Sequence, residues 1–268
     1  MKRIIIVTGA SSGIGREFAL QLSKTRNADE IWLIARRTEK LNLLVDELSV
    51  NGKAKAKALS LDISGKKGVS AFQKLLEKEV LEAGTEGLCI DSLINNAGFG
   101  TYGTFMETNL DRQLEMIDLN VSTLTGLCHL CVPYMNKGSL LVNVASLASF
   151  IPLGNFAVYG ATKAYVLSFS IALAAEIADS GIFVSTLCPG PVDTEFAQIA
   201  SNGARKKVID GRDPAAVVEH CLLLSSQGKR VAIMAIKWKL KAFLSRFVGR
   251  YFFARHSFIH EKRPSANT

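Results

Sequence analysis

Short apolar runs alternate along this chain with longer stretches whose apolar positions recur every three to four residues. Arg3 to Val7 is a continuous apolar run of strand length, the pattern of a strand buried on both faces of a parallel sheet. Glu30 to Ala35, Ala56 to Leu61, Ile90 to Ile94, Ser139 to Val144 and Ile182 to Leu187 read as further strands. Between them, residues 16–24, 38–50, 66–83, 110–136 and 157–179 carry helical periodicity. Asp213 opens another helix with Pro214 at its first position, and Val231 to Ala235 reads as a last strand. Strands alternating with helices predict βαβ units, hence the α/β class with helices on both sides of a parallel sheet. No repeat at solenoid periods and no low-complexity linker interrupts the pattern. At 268 residues one domain is expected, with Pro264 to Thr268 frayed.

Composition adds boundaries. Hydrophobic residues make up 48%, enough for a large core. No uninterrupted apolar run reaches the length that spans a bilayer. Met1-Lys2-Arg3 followed by Ile4 to Val7 is too short for a signal peptide and runs straight into a glycine turn, so it reads as the first strand of a cytoplasmic protein. The five scattered cysteines argue for reduced thiols. Cys128 and Cys131 have CxxC spacing around His129, but no second pair follows at zinc spacing; buried core thiols are expected, and no metal site. The net charge of +8 sits in the tail: residues 229–268 hold ten Lys/Arg and one acid, whereas residues 1–228 hold 22 basic and 23 acidic. That distribution speaks against nucleic acid as a partner, which would want a basic face on the main body.

Directly after the first strand comes Thr8-Gly-Ala-Ser-Ser-Gly-Ile-Gly15, with glycines spaced G-x-x-x-G-x-G. This is a variant of the dinucleotide fingerprint: Gly9 permits the tight turn, Gly13 leaves room for a pyrophosphate, and Gly15 lets helix and strand pack closely. The free N–H groups of the helix start attract phosphates, which makes Ser11, Ser12 and Ile14 candidates as well. At the end of the second strand stands Ala35-Arg36-Arg37 with no carboxylate. Two guanidiniums suit a 2′-phosphate through charge-assisted contacts, so NADP(H) is favoured over NAD; the alternative is that they only cap the strand end in solvent.

The chemistry centres on Tyr159-Gly-Ala-Thr-Lys163. On a helix this spacing puts a phenol and an ammonium on one face, one turn apart. The positive charge favours the phenolate, so the tyrosine is expected to exchange a proton near neutral pH. Ser146, at the end of the fifth apolar run, is placed to face the same pocket.

Together these residues resemble the short-chain dehydrogenase/reductase superfamily, in an NADP-dependent branch with a divergent basic C-terminal segment. The matches are Thr8 to Gly15, Asn95-Asn-Ala-Gly98, Asn120, Ser146, Tyr159-x-x-x-Lys163 and Pro189-Gly-Pro-Val-Asp-Thr194, in family order across residues 1–196. The resemblance implies a doubly wound (Rossmann) sheet and a reductase of carbonyls, reversibly an alcohol dehydrogenase. It implies Tyr159 as the general acid/base, Ser146 as the second donor to the substrate oxygen, and Lys163 as the group that lowers the tyrosine pKa and binds the nicotinamide ribose. Asn120 would hold a water that continues the proton relay. Asn96, Ala97 and Gly98 would line the adenosine ribose side, Asn95 would steady the sheet, and Asp62 and Ile63 would lie beside the adenine. Pro189, Gly190, Val192 and Thr194 would wrap the nicotinamide end. A homo-oligomer, such as a dimer, is implied too.

After Thr194 the match fades. Residues 195–212 read as a flap over the site, and the domain is expected to close at residue 235. From Ile236 the chain departs from the glycine-rich end that supports the family's tetramer, which puts that assembly in doubt. On a helix, Ile236, Leu240, Phe243, Leu244, Phe247 and Tyr251 share one face, with Lys239, Arg246 and Arg250 opposite and Lys237 and Lys241 at the flanks. The extension 236–268 is thus a basic amphipathic helix. It either packs on its own core or a partner copy, or lies on an anionic membrane, where a lipophilic carbonyl substrate would fit. Two other functions share this fold: a non-catalytic NADP(H)-binding sensor and a peripheral membrane module.

Overall fold

The computed structural model describes residues 1–205, 208, 210–261, 263, 265 and 266. Lys206, Lys207 and Ile209 of the expected flap lie outside the described residues, as do Pro264, Asn267 and Thr268 of the expected frayed end. The strands are β1 (Lys2–Thr8), β2 (Glu30–Ala35), β3 (Lys55–Ser60), β4 (Leu88–Asn95), β5 (Leu140–Val144), β6 (Phe183–Leu187) and β7 (Val231–Ala232). They form one seven-stranded sheet in the order β3-β2-β1-β4-β5-β6-β7, with every neighbouring pair parallel. This is the Rossmann-like doubly wound fold in a single domain, and its switch point between β1 and β4 leaves the crevice where such sheets bind ligands.

The alternation within each strand builds two cores. Ile4 and Ile6 of β1 join Trp32, Ile90, Phe72 and Leu141 on one face. Ile5 and Val7 join Phe18, Leu33, Ile94 and Val142 on the other. Helix α1 (Gly13–Thr25) and helix α2 (Thr38–Asn51) follow the first two strands, and α3 (Gly65–Ala83) follows the third. All five cysteines are buried free thiols. Burial raises the Cys128 thiol to about 12, despite hydrogen bonds to Asn143 and Asn95.

Three expectations change. The segment 110–136 is not one α-helix: α4 (Leu110–Ile117) passes through a π turn at Asp118–Thr123 into α5 (Leu124–Cys131). The wide turn carries Asn120, whose amide is drawn to the backbone of Phe99; such π insertions frequently accompany functional positions. The last strand is two residues long instead of five, because only Val231 and Ala232 find a register on β6. The C-terminal extension is two helices, after α6 (Ala157–Glu176), α7 (Phe196–Ala200) and α8 (Pro214–Ser226): α9 (Ile236–Leu244) and α10 (Arg250–His260), separated at Gly249. Helix α6 spans 20 residues and is apolar enough by composition to cross a bilayer, although the sequence shows no uninterrupted run of that length. Its Tyr159, Lys163, Val166, Ser170 and Ala174 are buried in the domain.

The apolar face of α9, which the sequence leaves open to the body, a partner copy or a membrane, faces solvent. Ile236 is 83% exposed, Phe247 73% and Tyr251 81%, with Leu240, Phe243 and Leu244 also exposed. Toward the body α9 turns Trp238, Ala242 and Ser245 instead, the i, i+4, i+7 positions of the opposite side. The reason is space. Trp238 sits against Gly190, where a Cβ would come within 2.8 Å of Nε1. Small Ala242 and Ser245 permit the close approach behind it.

Candidate active site

A cavity of about 760 Å³ runs from the glycine loop at the end of β1, past the ends of β2 and β4, to the start of α6. Gly9, Ser11, Ser12, Gly13, Ile14, Arg36, Arg37, Asp62, Ile63, Asn96, Ala97, Gly98, Ser146, Tyr159, Lys163, Pro189, Gly190, Val192 and Thr194 all line it. Two of the expected residues do not. Gly15 lies under the loop, where a Cβ would stand 2.3 Å from the Gly9 carbonyl oxygen; its part is to let α1 approach. Asn120 is buried behind the wall.

The loop has the form of an anion cradle. Gly13 adopts φ +54°, and a Cβ there would strike Thr194 Cγ2 at 2.8 Å, so glycine both permits the turn and admits the 189–194 segment. Ser12 precedes α1 without a side-chain cap, which leaves the first N–H groups of the helix for a ligand. Asn96 Nδ2 donates to the Thr8 carbonyl at 2.9 Å and so ties β4 to the loop. Asn95 Nδ2 donates to Asn143 Oδ1 at 2.9 Å inside the sheet. At the far end, Arg37 donates to Ser11 Oγ and Ser12 Oγ at 2.8 Å each and pairs with Glu195 at 2.7 Å. Lys40 also pairs with Glu195. These two cations hold the Glu195 carboxyl at about 2, although burial alone would raise it.

Helix α6 and the turn after β5 bring the chemistry together. Tyr159 is buried, and the Ser146 hydroxyl lies on the same cavity wall, where it favours the phenolate. Ser146 Oγ also accepts from Ala148 N at 3.1 Å, while Ser149 Oγ donates to the Lys163 carbonyl at 2.7 Å and pins this turn to α6. The Lys163 ammonium donates to the Val144 carbonyl at 2.8 Å and lies 5.8 Å from the centre of the Tyr159 ring. The spacing argument expects that ammonium to acidify the phenol. Burial wins: it raises the Tyr159 pKa above the usual tyrosine value, opposed by the Ser146 hydroxyl, and it lowers Lys163 from 10.5 to about 8. A phenol kept protonated in this way is a proton donor first.

Asn120 reaches across to Phe99 and Thr162. Its Oδ1 accepts from Phe99 N at 3.1 Å, and its Nδ2 donates to Phe99 O at 2.9 Å and to Thr162 Oγ1 at 3.1 Å. The side chain is thus occupied by protein partners and braces the Gly98–Phe99 wall against α6.

The sequence reading missed an aromatic box. Phe156 stacks on Tyr159 with ring centres 4.1 Å apart, Phe196 tilts against Tyr159 at 5.4 Å, and Tyr102 tilts against Phe156 at 4.8 Å. Phe156 caps the start of α6 three residues before Tyr159, so its nearness in sequence was the available signal. Tyr102 comes from a loop and Phe196 from the first turn of the short α7, and no local pattern reveals the path of either. Trp238, Lys241, Ala242, Glu261 and Arg263 of the extension complete the wall.

The sequence profile of the short chain dehydrogenase family matches residues 3–204. The chain belongs to the short-chain dehydrogenase family. This short-chain dehydrogenase is 32% identical over 209 residues to an uncharacterized oxidoreductase of Staphylococcus epidermidis, covering 77% of this chain and 85% of that protein. It is 33% identical over 210 residues to the NADP-dependent 3-hydroxy acid dehydrogenase of Schizosaccharomyces pombe, covering 76% and 77%. Its fold superposes on a short-chain dehydrogenase from Sphingobium yanoikuyae in complex with NADPH, with a TM-score of 0.76, 26% identity, and 91% and 93% of the two chains covered. As a short-chain dehydrogenase it is an oxidoreductase.

Proposed function

We propose that the chain is an NADP(H)-dependent carbonyl reductase, working in reverse as an alcohol dehydrogenase. The observation that carries this reading is the convergence of Tyr159, Ser146 and Lys163 on the cavity into which the glycine loop and the α1 N-terminus open. Reducing a carbonyl builds negative charge on oxygen. Tyr159 donates its proton to that oxygen, and Ser146 holds it with a second hydrogen bond as the charge forms. NADPH, when bound, supplies the hydride.

The loop residues Gly9, Ser11, Ser12, Gly13 and Ile14 would hold the pyrophosphate, and Arg36 and Arg37 the 2′-phosphate. Asp62 and Ile63 would sit beside the adenine, with Asn96, Ala97 and Gly98 along its ribose. Pro189, Gly190, Val192 and Thr194 would wrap the nicotinamide end. Lys163, its ammonium anchored on Val144, orients the nicotinamide ribose, and Asn120 positions the Gly98–Phe99 wall. The NADPH complex of the Sphingobium neighbour and the NADP dependence of the yeast relative support this choice of cofactor.

The box of Tyr102, Phe156 and Phe196 around Tyr159 supports a lipophilic substrate. Leu110, Leu114 and Ile117, exposed at i, i+4, i+7 on α4, support a homo-oligomer. The Rossmann domain is residues 1–235, with about 195–212 as the flap, and the extension 236–268 adds Trp238 and Arg263 to the wall. The decisive experiment is NADPH consumption, followed by nicotinamide absorbance, over a panel of ketones. Turnover with any ketone that is lost in Tyr159→Phe supports the reading, and turnover that survives the substitution overturns it.

A further inference from the structure

We infer that the outward face of α9 and the turn after it is a docking surface for an anionic lipid bilayer. Leu240, Phe243, Leu244 and Phe247 continue from Ile236 at helical spacing, and all are exposed. The rings of Phe243 and Phe247 lie 5.2 Å apart, so the stripe is contiguous. The helical path reaches Phe247 through hydrogen bonds from Ser245 N to Lys241 O at 3.0 Å and from Phe247 N to Leu244 O at 3.0 Å. A soluble surface rarely spends five large apolar side chains in one row, and a row of this kind marks an interaction site.

Charge identifies the partner. Residues 236–260 contain six Lys/Arg and no Asp or Glu. Of these cations only Lys241 is in an ion pair among the described residues, with Glu261 at 3.7 Å. Lys237 borders the stripe on one side; at about 100° per residue Lys239 and Arg246 border it on the other, not opposite it as the sequence suggested, and Arg250 follows at the start of α10. Aromatic and aliphatic side chains flanked by unpaired cations fit the boundary between acyl chains and anionic headgroups. A second copy of the same face fits poorly, because like charges would meet across the contact.

The face is held out by the body. Trp238 is fixed against Gly190, and α10 is clamped to the loop before α6: Ser257 Oγ accepts from Gly154 N at 2.7 Å, and Asn155 Nδ2 donates to Phe258 O at 3.1 Å. Turning the apolar stripe inward would break these contacts. The inference does not depend on the reductase reading, since it concerns the opposite side of α9 from the cavity.

The test is co-sedimentation of the full chain with vesicles of phosphatidylcholine alone or with about 30% phosphatidylglycerol. The expected result is binding to the anionic vesicles only, weakened at least about tenfold in Phe243→Glu/Phe247→Glu and in Lys239→Glu/Arg246→Glu/Arg250→Glu. The thermal midpoint of each variant reports its folding, and the charge variant carries the test if the aromatic one does not fold. No sedimentation with anionic vesicles, or sedimentation unchanged in the folded variants, overturns the inference. So does light scattering that shows a wild-type dimer turned to monomer by Phe243→Glu, which would assign the face to a second copy.

Discussion

Glu195 Oε2 lies 2.7 Å from Arg37 Nη1 across the glycine-loop end of the cavity, joining the segment proposed as a flap to the end of β2. The guanidinium proposed to hold the 2′-phosphate is therefore held by a carboxylate of the same chain. A phosphate at this place must share or displace that contact. Glu195→Gln removes the competitor and should tighten NADP⁺ about three- to tenfold while leaving NAD⁺ unchanged. Arg37→Ala should weaken NADP⁺ by about 1.5–3 kcal/mol, the scale of a hydrogen bond to a charged group. Calorimetric titration with both nucleotides measures each shift.

The same contact has a pH signature. The folded pKa of Glu195, about 2, is depressed from a usual 4.5. A depressed carboxylate adds stability that is complete above the unfolded pKa and is lost as pH falls through the folded one. Thermal midpoints of the wild type and Glu195→Gln should therefore differ at pH 6 and converge between about pH 4.5 and 2.

Lys163 behaves oppositely. Burial lowers its pKa from 10.5 to about 8 in the folded state, so between those values the unfolded chain holds the extra proton. Stability should rise with pH through that window. At pH 7 the charged, buried lysine costs the fold about 3 kcal/mol by the same shift, and Lys163→Met should raise the thermal midpoint while abolishing reduction. The reduction rate of the wild type should fall above about pH 8 as the ammonium is lost.

Tyr159→Phe removes one oxygen and keeps the ring on Phe156. Folding should be unchanged, and kcat for ketone reduction should drop about 10²–10⁴-fold, the span of a lost general acid. A circular dichroism melt paired with the nicotinamide assay separates the two.

Gly154 touches α10 so closely that a Cβ would lie 2.5 Å from Phe258 Cβ. Gly154→Ala should cost about 1–3 kcal/mol by overpacking and should loosen the wall that Arg263 shares with Phe156, raising KM more than it lowers kcat. Urea unfolding and steady-state kinetics check both.

What the chain disclosed in advance was local in character. Ile4 to Val7 announced a doubly buried strand, and the glycine spacing announced the loop. Tyr159 and Lys163 met on one helix face because 3.6-residue geometry requires it. Balances between competing forces were hidden. The ammonium near the phenol was legible, but not the desolvation that outweighs it. Asn120 was legible as a polar residue of the site, but not the π turn that commits its amide to Phe99. The orientation of α9 stayed open because amphipathicity shows which face is apolar and not which face finds room; Gly190 admits Trp238, and that decided it. Glu195 and Tyr102 reach the site through loops, where no periodicity guides the eye.

Helix α9 works in two media at once, with Trp238 and Ala242 on the cavity and Phe243 and Phe247 in solvent. A helix advances about 100° per residue. One residue inserted or lost ahead of Trp238 would rotate both sides together, swinging phenyl rings toward the substrate and indole toward water. The reading frame of these nine residues is therefore under double selection, and natural variation here should come as paired substitutions, not as shifts in length.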